Sequence, residues 1–305
     1  MPLKPPKLQK GQTIGVIAPA SPADPERLTQ GIRYLESLGY QVKPGQHLRK
    51  VYGYLAGGDR ARLDDLNRMF ADDEVHAVFC TRGGYGTVRL LDFVDYECIK
   101  ENPKLLVGYS DITALQLALF RKTGLITLSG PMVAAEMGRG IEDFTERHFW
   151  SLVTKSEPAA KFSGLKRLKP GIASGRLLGG NLSLLCTLIG TPYLPDLRGS
   201  VLFIEDVGEQ PYQIDRKLMQ LRLSGVFSQV SGVVFGHFKD CTSDCPEDSL
   251  GLDEVLQDVF QNVDIPVASG LLYGHVDKKY TLPQGVEVIL NAQEGYMEMQ
   301  ESPVV

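Results

Sequence analysis

A serine between two contrasting patterns is the first residue whose type and position suggest chemistry. Ser110 follows the apolar run KLLVGY and precedes the helix-like stretch DITALQLALF. A serine on a sharp turn from strand to helix exposes its hydroxyl, as in the nucleophile elbow of hydrolases. The match is incomplete, because the motif G-x-S-x-G requires glycine where this chain has Ile112. The alternative is that Ser110 caps the helix that follows.

Residues that could activate this serine occur later in the chain. Glu205 and Asp206 end the apolar run VLFIED, where a carboxylate is costly unless it is paired or faces a polar site. His275 lies between the apolar segment LLYG and a turn-rich loop. The order serine, glutamate, histidine occurs in α/β-hydrolases, although order alone is not diagnostic. Taken singly, Glu205 could be a helix cap or an ion-pair partner, and His275 a solvated loop residue.

A glycine-rich segment, TRGGYGT at 81–87, also lies between a predicted strand and a predicted helix. Paired glycines let the backbone approach a ligand and turn its N–H groups outward. The N–H of Gly84 could therefore donate to an oxyanion. The alternative is a tight turn without a ligand, and the spacing does not form the G-x-G-x-x-G fingerprint of dinucleotide-binding proteins.

A possible metal site is the sequence HFKDCTSDC, in which His237, Cys241 and Cys245 have the spacing H-x₃-C-x₃-C. Structural zinc takes four ligands, usually as two close pairs, and the sequence offers no fourth ligand nearby. We expect no metal and no organic cofactor.

The elements around these candidates predict an α/β fold with two domains. Strand and helix patterns alternate from 13 to about 153, which predicts βαβ units and a parallel sheet of Rossmann-like or flavodoxin-like type. The polar stretch 156–174 carries no sustained pattern and suggests a linker, with or without one short hairpin. We therefore predict an N-terminal domain at 1–155 and a smaller, mixed α/β domain at 175–305, with a cleft between them.

Composition excludes several classes of function. The 305 residues are 43% hydrophobic and 23% charged, with a net charge of −5 and no basic patch, so nucleic acid is not an expected partner. The apolar runs are too short to span a membrane. Five cysteines are an odd number, which suggests reduced thiols. The basic, proline-rich N-terminus lacks the apolar core of a signal peptide, and we expect a cytoplasmic protein.

Five motifs together resemble one family. TRGGYGT, VGYSDITAL, GGNLSLL, FIEDVGEQPYQIDRKLMQL and YGHVDKKYTLPQG occur in this order, and the resemblance spans 13–290. The family is that of the LD-carboxypeptidases, or muramoyltetrapeptide carboxypeptidases, cytosolic serine peptidases that trim murein peptides. The resemblance implies that Ser110 is the nucleophile, His275 the general base and Glu205 the residue that orients it. It further implies oxyanion donors at the N–H groups of Gly84 and Asp111, and a homodimer.

The activity that this resemblance implies is removal of the terminal D-alanine from murein tetrapeptides during peptidoglycan recycling. Such a substrate carries charges of both signs, which Arg82 and Asp111 could meet beside the oxyanion site, while Asn181 could line the cleft. Three alternatives remain: the sister branch that cleaves acyl-sulfamoyl-adenylate antibiotics, a non-catalytic two-domain protein that binds peptide or sugar, and a general esterase. The esterase is disfavoured by Ile112 and by the lack of an HGGG-type loop.

Overall fold

The structure, a computed structural model, describes residues 2–156 and 160–305. Within these ranges the helices are α1 (Pro25–Ser37), α2 (Asp59–Ala71), α3 (Tyr96–Glu101), α4 (Ile112–Thr123), α5 (Asp143–Thr154), α6 (Leu182–Leu188), α7 (Pro211–Leu223) and α8 (Leu252–Phe260). The strands are β1 (Thr13–Ile17), β2 (Gln41–Pro44), β3 (Val75–Cys80), β4 (Leu105–Gly108), β5 (Thr127–Ser129), β6 (Lys161–Ser163), β7 (Lys166–Lys169), β8 (Ile172–Asn181), β9 (Val201–Val207), β10 (Gly232–Lys239), β11 (Val267–Ser269), β12 (Leu282–Gln284), β13 (Glu287–Asn291) and β14 (Tyr296–Met299).

The N-terminal half contains the predicted parallel sheet. Strands β1 to β5 run parallel in the spatial order β2-β1-β3-β4-β5, which is the flavodoxin-like order. The strand order reverses between β1 and β3, and ligands of such sheets bind beyond the carboxyl ends of the strands at this point. The glycine-rich segment 81–87 follows β3 directly, so it lies at the expected ligand-binding edge.

The second sheet is mixed, as the sequence predicted. Its eight strands have the order β6-β14-β13-β8-β9-β10-β11-β7, with β8 to β11 parallel and the outer pairs antiparallel. Only Gly164 and Leu165 separate β6 from β7, although these strands occupy opposite edges. Three Cα–Cα steps reach about 11 Å at most, so the sheet must curl until its edges approach each other.

The stretch expected to be a linker contributes strands to this sheet. Residues 157–159 of that stretch lie outside the described residues, and the remainder includes β6, β7 and the start of β8. The suggested hairpin does not form there, since β6 pairs with β14 and β7 with β11. Polar edge strands need no sustained apolar alternation, which is why the sequence pattern did not reveal them. The limits 1–155 and 175–305 stay a proposal.

The two halves are joined by shared structure. Strand β12 comes from the C-terminal half but pairs antiparallel with β5, at the edge of the N-terminal sheet. Helix α4 is buried from Ile112 to Leu119 and packs against β8 and α6. At the end of β8, Gly180 has a φ of 133°, and a Cβ there would lie 2.5 Å from the hydroxyl oxygen of Thr113. Glycine therefore lets β8 approach the start of α4 closely.

In the described part of the chain, no helix combines the length and the apolar content that crossing a bilayer requires.

Leu282 provides a test of this joint core. Its backbone pairs with β5, while its fully buried side chain belongs to a cluster that includes Ile126 and Phe203. We expect Leu282→Ala to lower the free energy of unfolding by about 2–5 kcal/mol, because it leaves a cavity between the halves. Leu223→Ala is the control, since Leu223 is 82% exposed and should change stability by at most about 0.5 kcal/mol. Urea unfolding measures both, and equal effects would contradict the shared core.

Candidate active site

Ser110 lies on a strained turn between β4 and α4. Its φ is 65°, in the left-handed region that residues other than glycine rarely occupy. Helix α4 begins at Ile112 with Asp111 at the N-cap position, and no side chain caps it. Ser110 is therefore not the helix cap that the alternative interpretation required. Strained backbone of this kind tends to occur at functional sites, where the surrounding structure maintains it.

Two glycines make room for this turn. A Cβ on Gly83 would lie 2.9 Å from the Cβ of Ser110 and 3.1 Å from its Oγ. A Cβ on Gly108 would lie 2.9 Å from Cγ1 of Ile112. Glycines before the serine and on the neighbouring loop thus provide the space, and position 112 can hold a buried isoleucine. This packing explains why the turn forms although the chain departs from the G-x-S-x-G motif.

The three residues singled out in the sequence form one chain of hydrogen bonds. Nε2 of His275 lies 3.0 Å from Oγ of Ser110, and Nδ1 of His275 lies 2.7 Å from Oε2 of Glu205. Glu205 is fully buried at the end of β9, whereas the imidazole is 21% exposed on the loop between β11 and β12. The arrangement places a base against a hydroxyl and a carboxylate against the base, which is the geometry of an activated serine.

The sequence suggested that Asn181 lines the cleft, but the structure places it behind Glu205. It is 3% exposed, and its amide nitrogen donates to Oε1 of Glu205 at 3.2 Å and to Oδ1 of Asp206 at 2.8 Å. Asp206 also accepts hydrogen bonds from the backbone N–H and hydroxyl of Ser183. Asn181 therefore orients the buried carboxylate that contacts His275.

Sequence reasoning missed a buried ion pair beside the histidine. Nζ of Lys279 lies 2.7 Å from Oε1 of Glu136, and their side chains are 2% and 14% exposed. The same carboxylate oxygen accepts the hydroxyl of Tyr109 at 2.6 Å. The ammonium of Lys279 also donates to the carbonyl of Gly274, and the ring of Tyr109 packs 5.1 Å from the imidazole of His275. The ion pair thus connects Tyr109, which precedes Ser110 in sequence, with Gly274, which precedes His275. Lys279 lies in the motif YGHVDKKYTLPQG, but nothing in that motif marks it as part of a buried ion pair, and Glu136 lies in none of the five motifs.

The glycine-rich loop and the start of α4 present two N–H groups beside Ser110. Among the described residues, neither the N–H of Gly84 nor that of Asp111 donates a hydrogen bond. The carboxylate of Asp111 is turned inward, where it accepts the N–H groups of Gly86 at 3.3 Å and Thr87 at 2.9 Å. Burial raises the pKa of this carboxyl group, which the hydrogen bonds from Thr87 partly offset. Asp111 therefore holds the loop in place and offers the pocket no charge.

A cavity of about 210 Å³ opens in front of the serine. Ser110, His275, Gly84 and Arg82 line it, so the structure brings these sequence-predicted residues together. Its remaining walls include the apolar side chains of Met132, Ala134 and Ala135, and three charged residues that the sequence analysis did not identify, Asp24, Arg27 and Arg139.

The spacing of His237, Cys241 and Cys245 does not bring these residues together as ligands. In the described ranges, the one group of three potential ligands that converges is His47, Asp64 and Asp65. The carboxylate of Asp65 already accepts the backbone N–H of His47, and Oδ2 of Asp64 lies 3.2 Å from Nε2 of the same histidine. These contacts account for the cluster without an ion.

The strain at Ser110 can be measured directly. Ser110→Gly and Ser110→Ala both remove the hydroxyl, but only glycine adopts a φ of 65° without steric cost. We expect the glycine variant to be more stable than the alanine variant by about 1 kcal/mol in denaturant unfolding. A more stable alanine variant would contradict the strained turn, because in ordinary backbone glycine is the less stable of the two.

The buried ion pair makes a second prediction. Lys279→Met leaves the carboxylate of Glu136 buried without its cation, and we expect a loss of about 3–5 kcal/mol in the free energy of unfolding. The double variant Lys279→Met with Glu136→Gln removes the unpaired charge and keeps an acceptor for Tyr109, so it should recover part of that loss. A double variant no more stable than the single one, measured by urea unfolding, would contradict this assignment.

Comparisons with known proteins agree with this geometry. Residues 14–130 match the model of the LD-carboxypeptidase N-terminal domain, and residues 174–290 match that of the C-terminal domain. A probable murein peptide carboxypeptidase of Bacillus subtilis is 44% identical over 294 residues, which is 95% of this chain and 92% of that protein. The microcin C7 self-immunity protein MccF of Escherichia coli is 30% identical over 93% of this chain and 92% of that protein.

Solved structures show the same relationship. The crystal structure of muramoyltetrapeptide carboxypeptidase from Oxalobacter formigenes has a TM-score of 0.88 and is 32% identical, over 96% of this chain and 100% of that one. MccF without ligand has a TM-score of 0.93 and is 28% identical over the whole of both chains. Both family models and the full-length relatives therefore cover the halves that carry Ser110, Glu205 and His275. The chain belongs to the LD-carboxypeptidase family and is a serine-type carboxypeptidase.

Proposed function

We propose that this protein is an LD-carboxypeptidase that removes the terminal D-alanine from murein tetrapeptides in peptidoglycan recycling. The observation that supports it best is the continuous hydrogen-bonded chain from Glu205 through His275 to the strained Ser110. A protein that only binds a peptide or a sugar has no need of an activated hydroxyl on a strained turn. The murein peptide named for the Bacillus subtilis relative supports the choice of substrate.

The proposed reaction is acyl transfer through a covalent intermediate. With its hydrogen on Nδ1, donated to Glu205, His275 accepts the proton of Ser110 at Nε2 while Oγ attacks the carbonyl before the terminal residue. The N–H groups of Gly84 and Asp111 stabilise the oxyanion, and loss of one such donor typically raises the barrier by about 2.7–4 kcal/mol. His275 then protonates the leaving amine, and water hydrolyses the acyl-enzyme. These steps require no metal or organic cofactor.

Arg82 is the proposed contact for an anionic group of the substrate. It is exposed, lines the cavity next to Gly83, and its guanidinium approaches the carbonyl of Pro22 at 3.4 Å. We propose that Asn181 acts only through Glu205, because it is buried behind that carboxylate.

We also propose that the protein acts in the cytoplasm and forms a homodimer. The five cysteines are all free in the structure, which agrees with a reducing compartment. The homodimer rests on the family resemblance, and sedimentation of the purified protein tests it.

The first experiment is a direct assay. Purified protein is incubated with L-Ala-γ-D-Glu-meso-diaminopimelate-D-Ala, and free D-alanine is measured by mass spectrometry. We expect release by the unmodified protein and a rate at least about 10³-fold lower for Ser110→Ala, because the nucleophile is lost. Ser37→Ala, at the far end of α1, is the matched control and should keep full activity.

The assay can also reject the proposal. Unchanged release by Ser110→Ala would eliminate the serine mechanism. If the unmodified protein releases no D-alanine, the tetrapeptide is not the substrate, and an acyl-sulfamoyl-adenylate is then tested because of the likeness to MccF.

A further inference from the structure

Three arginines face the cavity, and none of them forms an ion pair with a carboxylate of the described residues. Arg27, Arg82 and Arg139 all line it. Within 2–156 and 160–305, the arginines that form ion pairs with carboxylates within 4.0 Å are others: Arg62, Arg68, Arg89, Arg176 and Arg198. The chain as a whole has a net charge of −5. Unpaired guanidinium groups that converge on one cavity of an acidic protein indicate a ligand with negative charge.

Close packing places two of these arginines side by side. A Cβ on Gly138 would lie 2.0 Å from the carbonyl oxygen of Arg27, so the turn at Met137–Arg139 rests directly on the first turn of α1. The one acidic residue on the cavity wall, Asp24, is engaged as the N-cap of α1, where its carboxylate accepts the N–H of Arg27 at 2.9 Å. Three arginines outnumber this one carboxylate, so the cavity wall keeps a net positive charge.

The position of Arg139 identifies the part of the substrate that it would meet. Glu136, three residues earlier, bonds to Lys279 and Tyr109 beside His275. Arg139 also lines a small cavity of about 50 Å³ together with Asp277, two residues after the histidine. Arg139 thus lies on the side of the site where His275 must protonate the leaving amine.

We propose that Arg139, assisted by Arg27, binds the free α-carboxylate of the leaving residue. This inference rests on the proposed function and specifies how that site selects its substrate. The guanidinium fork matches a carboxylate bidentately, and such charge-assisted pairs are the stronger class of hydrogen bond. The small apolar side chains of Ala134 and Ala135 next to the arginines leave room for a methyl group. On this proposal the two arginines select a free terminal carboxylate, and the apolar wall beside them selects a small terminal side chain.

The test compares two peptides that differ only in the terminal charge. They are the tetrapeptide L-Ala-γ-D-Glu-meso-diaminopimelate-D-Ala and the same peptide with a C-terminal carboxamide. We expect the unmodified enzyme to prefer the acid by about 10- to 100-fold in kcat/KM, because the amide offers no charge to the guanidinium. In Arg139→Gln this preference should disappear, with kcat/KM for the acid falling to the level of the amide. Arg139→Lys keeps the charge without the fork and should restore part of the preference.

Arg33→Gln is the matched control. Arg33 lies on the same helix as Arg27, is exposed, and does not line the cavity. The substitution Arg33→Gln removes one positive charge and should leave the preference for the acid over the amide unchanged. Equal cleavage of acid and amide by the unmodified enzyme, or an unchanged preference in Arg139→Gln, would overturn the inference while D-alanine release still supports the proposed function. If the unmodified enzyme cleaves neither peptide, the proposed function fails and the inference falls with it.

Discussion

The hydrogen bond between His275 and Ser110 constrains how the two halves of the molecule fit together, because its partners come from opposite halves. Ser110 follows strand β4 of the parallel sheet, and His275 is held by Glu205 near the end of β9 in the mixed sheet. A displacement of about 1 Å between halves can cost about 10²-fold in rate. The close approach at Gly180 and the exchange of β12 into the first sheet both resist such a displacement.

Buried charge surrounds this bond, and each charged group has a specific partner. Asp111 accepts N–H groups of the glycine-rich loop, Asp206 accepts from Asn181 and Ser183, and Glu136 pairs with Lys279. An unpaired charge in such a position would destabilise the folded protein by roughly several kcal/mol. These contacts therefore strongly favour one arrangement of the site. These contacts hold the backbone of Ser110 in its strained, left-handed conformation.

The entrance to the site, in contrast to this buried surrounding, is exposed and rich in arginine. Exposed arginines line a small cavity together with apolar side chains, Gly84 of the glycine-rich loop, and the catalytic candidates Ser110 and His275. In the proposed reaction, the positive rim favours a substrate with an anionic end, and the backbone donors stabilise the charge that develops on its carbonyl oxygen. The proposal thus assigns substrate binding to the exposed arginines and the chemical steps to the residues deeper in the cavity.

Local sequence patterns were enough to predict the class of fold and to single out Ser110, Glu205 and His275 as candidates, whereas their roles as a trio came from the resemblance of five motifs taken together. Alternating strands and helices predict a parallel sheet, and Ser110, Glu205 and His275 each follow an apolar run where chain direction changes. The remaining features depend on contacts between segments that are distant in sequence. β6 and β7 are polar edge strands without alternation, and the direction in which Asn181 points depends on the neighbouring strand β9. Arg27 and Arg139 line the same cavity only because two segments distant in sequence pack without space for a side chain at Gly138, and no local pattern encodes that packing.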